Sequence, residues 1–155
     1  MGSLAGQKSA NTDHIREDFI RSFFMGFTMP GARMGAKAES TQRGFIAGQE
    51  YRKNNPARIS ETMEGFGYIL TEAEGTWIAR FEVSSFQPQS MPKQPWWLSH
   101  FGDTRSDIPK GAKIPKNGIH IRVIGYLSPR GHFGHWGAYE HEFFATSISK
   151  IAGGS

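Results

Sequence analysis

The chain predicts an α+β domain: N-terminal helices followed by a compact antiparallel sheet, one able to close into a small OB-like barrel. Three observations carry this. Apolar residues recur at helical spacing through the first third. From Thr76 onward they alternate with polar ones in the two-residue period of half-buried strands. Clusters of glycine and proline then punctuate the alternating stretches, as turns require.

The 155 residues suit one domain and bury enough surface to need no disulfide or metal. Residues 1–11 are small and polar and read as a disordered tail or an expression scar, leaving 12–152 as a single α+β domain. The chain has no cysteine, which excludes thiol catalysis and thiolate zinc sites. No apolar run approaches the roughly 20 residues that span a bilayer. The net charge of +4 permits an acidic partner.

In the first helix Ile15, Phe19, Ile20, Phe23 and Phe27 share one face. Asn11 or Thr12 caps it, Asp13 suits its positive end, and Met29-Pro30-Gly31 stops it. A second helix runs from about Ser40 to Lys53, with Phe45, Gln49 and Arg52 on one side and Ile46 beside them. Each interior glycine costs about 1 kcal/mol against alanine, so Gly44 and Gly48 point to close approach by another element. Asn55 and Pro56 open a third helix, whose Ile59 and Met63 face the core.

Strands are expected over Thr76–Val83, Ile119–Leu127 and Glu140–Ile148, with a shorter one at Phe66–Leu70. Between Phe86 and Gly118 five prolines mark a long loop (87–117) that carries Trp96-Trp97-Leu98. A patch that apolar either packs on the sheet or forms a contact surface.

Residues 125–144, GYLSPRGHFGHWGAYEHEFF, are the densest stretch. His132, His135 and His141 lie near Glu140 and Glu142, a donor set competent for zinc. On a strand, however, the glutamates face opposite to His141, so no metal site is assigned. His135 or His100 beside Glu142 would give a base and its orienter, the basis of a histidine- or metal-dependent hydrolase. No nucleophile elbow, phosphate loop or dinucleotide fingerprint accompanies them, so no catalytic residue and no cofactor is assigned. The third reading is a hairpin. Ser128-Pro129-Arg130-Gly131 has turn chemistry, and Gly131, Gly134 and Gly137 let the backbone reverse. Arg122 would pair with Glu140 or Glu142 across the strands. Phe133, His135, Trp136 and Tyr139 then decorate the tip, or Trp136 and Tyr139 turn inward and close the barrel end.

The run from Val123 to Phe143 resembles small bacterial envelope proteins and lipoproteins. The shared positions are Gly125, Leu127 to Pro129, Gly131, Gly134, His135, Gly137 and Tyr139. The resemblance implies a strand, a Ser-Pro turn, a glycine loop and a second strand within a barrel-like unit of an extracytoplasmic bacterial protein. It implies no reaction. A trimmed-looking N-terminus agrees with a periplasmic or secreted location. The expected function is a non-enzymatic binding module that meets a protein partner, rather than a small molecule, through Trp96, Trp97, Phe133, His135, Trp136, Tyr139 and Arg130. The alternative is nucleic-acid or polyanion binding on an OB-like face through Arg105, Lys110, Lys113, Lys116, Arg122 and Arg130.

Overall fold

The computed structural model describes residues 16–33, 39–54, 59–80, 83–91, 93–109 and 112–151, without the side chains of Ser40, Gly102, Asp103 and His135. The expected first-helix cap at Asn11–Asp13, Ile15 and the Asn55-Pro56 junction lie outside these residues. So do Lys110, the N-terminal tail and the last four residues. The chain divides into two compact units, Met1–Ile59 and Ser60–Ser155. No helix among the described residues is long and apolar enough to cross a membrane.

The first unit is a helix pair, α1 (16–28) and α2 (Glu39–Asn54). Ile20, Phe23, Phe24 and Phe27 are buried on α1 and Phe45 on α2, as their spacing requires. The close approach expected of Gly44 and Gly48 is to α1. A Cβ at Gly48 would stand 2.0 Å from the Phe23 carbonyl oxygen, and one at Gly44 2.5 Å from that of Phe19. Gln49 donates to the Met29 and Ala32 carbonyls at 3.2 and 2.7 Å, satisfying acceptors just past the end of α1. Arg52 donates to the Phe27 carbonyl and sets its guanidinium 5.0 Å from the Phe27 ring centroid. Ile46 departs from the expected face: it is exposed.

The second unit opens with the short α3 (Ser60–Gly65), whose Met63 is fully buried. Five strands follow: β1 (Ile69–Arg80), β2 (Val83–Pro88), β3 (Trp96–Ser106), β4 (Ile119–Leu127) and β5 (Glu142–Lys150). They close into a barrel in the order β1-β2-β3-β5-β4. The OB-like barrel is therefore real, but the sheet is mixed: β3 and β5 run parallel, and the other four pairings are antiparallel. The core is Trp77, Phe86, Trp96, Leu98, Ile121, Val123, Phe143, Ala145 and Ile148.

Two element boundaries differ from expectation. The alternation over Thr76–Val83 is not one strand: β1 ends at Arg80, and Val83 begins β2 by pairing back with Arg80. The expected short strand at Phe66–Leu70 and the link after it instead run into β1, which starts at Ile69. The long loop contains a whole strand. Trp96 and Leu98 point into the barrel, and β3 pairs with Phe143–Ala145 before its register shifts between His100 and Arg105. Thr104 holds that irregularity, accepting from the Phe101 N–H and donating to the Ala145 carbonyl.

Candidate functional site

The β4–β5 hairpin forms as the glycine pattern requires, with Leu127 opposite Phe143. Its connection, residues 128–141, is built in three tiers.

The root is Ser128. Its N–H donates to the Glu142 carbonyl, and its hydroxyl accepts the Glu142 N–H, each at 2.8 Å. The same hydroxyl donates to the Pro129 carbonyl, while the Ser128 carbonyl accepts from His141 Nδ1 at 2.9 Å. That bond commits Nδ1 of His141 to donation. Ser128 is buried, so these bonds are shielded from water. Outside the barrel wall, the fully buried Glu142 carboxylate accepts from the Tyr68 hydroxyl at 3.4 Å. Tyr68 stacks on Phe144, and Tyr126 meets Ser60 of α3 hydroxyl to hydroxyl at 2.6 Å.

In the middle tier Gly131 donates to Glu140, and Phe133 and Tyr139 exchange two backbone bonds of 2.8 and 3.0 Å. Arg130 and Glu140 approach to 3.5 Å, both exposed, a pair of small energetic weight. The Tyr139 ring meets Trp97 edge-on at 5.3 Å. The loop backbone lies so close over Trp97 that a Cβ at Gly134 would come within 2.5 Å of the indole.

The tip is a 3₁₀ turn, His135–Gly137, set between Gly134 (φ 72°) and Gly137 (φ 63°). Trp136 itself has φ 62° and ψ 13°, the left-handed region, and is the sole non-glycine there among the described residues. For a bulky side chain this backbone is an outlier. Its side chain is 89% exposed.

These positions sort the expected contact residues. Trp136 and Arg130 are displayed to solvent. Trp97 and Tyr139 are half-buried and brace the loop. Phe133 is buried beneath it and Trp96 is 3% exposed, stacked on Phe143 in the barrel core, so neither can meet a partner. Consecutive strand residues face opposite ways, which is why one tryptophan of the Trp96-Trp97 pair must enter the core. His135 contributes backbone to the turn, and its side chain lies outside the described residues. Trp136 does not turn inward to close the barrel end.

Among the described side chains the histidines do not assemble. His141 is occupied at the root and His132 is exposed. Among the described residues no three histidine, aspartate or glutamate side chains could hold a metal ion. Arg122 pairs with Glu74 (3.1 Å from Nε) and Glu72 of β1, not with Glu140 or Glu142. The register explains this: Glu74 lies directly across from Arg122, whereas Glu142 is buried. The Tyr68–Glu142–Ser128 root was missed in the sequence. The one signal for it was a glutamate followed directly by three apolar residues, Phe143, Phe144 and Ala145, too long an apolar run for a strand with one wet face.

No known family's sequence model matches the chain, and no curated protein matches it by sequence.

Proposed function

We propose that the protein is a non-enzymatic binding module of the bacterial envelope that engages a protein partner through the tip of the 128–141 loop. One observation carries this reading: an almost fully exposed tryptophan held at positive φ on a braced loop. A left-handed backbone costs a side-chain-bearing residue about 1–2 kcal/mol. An indole that stays 89% exposed does not offset that cost by burial. A partner pocket would, because burying a tryptophan there is among the largest single contributions in protein interfaces. The loop is also ordered before any encounter: the Phe133–Tyr139 bridge and the Trp97 brace fix its shape, which lowers the entropy lost on docking. Arg130 beside the tip would supply a polar rim contact.

The test is site-specific photocrosslinking in the native cell. A benzophenone amino acid at the exposed Ala138 should give one discrete protein adduct, which Trp136→Ala abolishes. The same probe at exposed Glu64 of α3 should not give that adduct. No adduct from position 138, or one indifferent to Trp136→Ala, refutes the reading.

A further inference from the structure

We propose that the barrel end opposite the aromatic loop is a docking surface for an anionic lipid bilayer. The two ends are chemically unlike. The hairpin loop joins β4 and β5 at one end; at the other, β4 starts and β5 finishes, with Ile121 opposite Lys150 and Ile151 donating to the His120 carbonyl. The ends of β1 and β3 belong there too. β1 runs past its last β4 partner, Trp77, to Arg80, and Arg105 and Ser106 pair with Ser147 and Ile148.

This end is closed by the segment between β3 and β4, whose Ile108 and Ile114 pack on the barrel core. The plug turns its cations outward: Lys113 and Lys116 are exposed, as are Arg80, Arg105 and Lys150 around the rim. None of the five pairs with a described carboxylate. The described acid near them, Asp107, spends its carboxylate on the chain itself, accepting the Lys150 backbone N–H at 2.8 and 3.1 Å. The sequence separates these cations by up to 70 positions; the topology gathers them. It also removes two others from the basic set expected of the sequence. Arg122 is engaged on the barrel wall by Glu74 and Glu72, and Arg130 sits at the opposite end.

Their arrangement selects the partner. The charges come from β1, β3, β5 and the plug, around a closed rim, which matches a planar field of phosphates better than the linear track of one nucleic-acid strand. Among the described residues of this end no phenylalanine, tyrosine or tryptophan is exposed, and the exposed Ile124, opposite Ser147, is aliphatic, so these residues give a base no such ring to stack on. The contact is purely coulombic and must fade with salt.

Co-sedimentation tests this, using the whole chain with vesicles of phosphatidylcholine alone and of equal parts phosphatidylcholine and phosphatidylglycerol. Binding is expected to the anionic vesicles only, and to disappear at high salt. Each basic residue near an anionic surface contributes about five-fold to partitioning, so Lys113→Gln with Lys116→Gln should weaken it about 25-fold. Lys93→Gln, a charge lost near the other end, should leave it unchanged. Absence of binding to anionic vesicles overturns the proposal, as does equal weakening by Lys93→Gln. Tighter binding to a duplex oligonucleotide than to vesicles of equal phosphate content overturns it in favour of nucleic acid. Because the lysine variants keep the aromatic loop, the crosslink to a protein partner should survive them, and the two readings can fail separately.

Discussion

Replacing Trp136 by glycine should stabilise the protein relative to replacing it by alanine. Both variants delete the indole and whatever it touches, so their difference isolates the backbone at φ 62°. Alanine retains the left-handed penalty of about 1–2 kcal/mol. Glycine escapes it but has a freer unfolded chain, which costs it about 0.5–1 kcal/mol. The balance favours glycine by about 1 kcal/mol, or about 4 °C in midpoint for a unit of the barrel's size. The assay is urea and thermal unfolding of the two variants, followed by near-ultraviolet circular dichroism of the buried Trp77 and Trp96. Both variants should lose the crosslink from position 138. Equal stability of the alanine and glycine variants would show that the backbone at 136 is not held left-handed, and the argument that the loop stores strain to display an indole would fall with it.

Two further outcomes follow from the geometry. Gly134→Ala adds a Cβ at positive φ within 2.5 Å of Trp97, and should cost about 2–3 kcal/mol while raising hydrogen exchange at the Phe133 and Tyr139 amides. His100 rests edge-on against Trp77, and burial of part of its ring lowers its pKa from the ordinary 6.5. A depressed folded value means that the unfolded chain binds the proton more readily. The contribution of His100 to stability should therefore be fully present above pH 6.5 and be lost as the pH drops through the folded value. His100→Gln should flatten that part of a stability–pH profile, and an unchanged slope would remove His100 as its source.

Much of this molecule was legible where one physical signal acted alone. Gly44 and Gly48 have no role on an isolated helix, so their cost implied a neighbour, and α1 is that neighbour. The Ser-Pro turn and glycines 131–137 forced a reversal, and β4 and β5 pair across it. The reading failed where signals overlapped. Trp77-to-Val83 alternation continues unbroken from β1 into β2, so the pattern conceals the reversal that Arg80 and Val83 make by pairing. β3 was lost among prolines, and its irregular stretch after His100 breaks the period that would have marked it. Its partner β5 lies more than 40 residues away and runs parallel, a pairing no local pattern encodes. At the tip, composition could not tell the displayed ring from the hidden one. Phe133 and Trp136 are three residues apart in the same glycine-rich turn, and only the Phe133–Tyr139 bridge decides which goes under the loop.

β5 is flanked on both sides, by β3 along one edge and β4 along the other. Until residues 142–150 are in place, two strands more than a dozen residues apart in sequence each have an unpaired flank. The chain therefore meets its greatest hazard late. A nascent or partly unfolded molecule carries two adhesive edges at once, and a foreign strand could enter the gap meant for its own last one. Speed of that final insertion, more than depth of the native well, should govern how cleanly the protein accumulates.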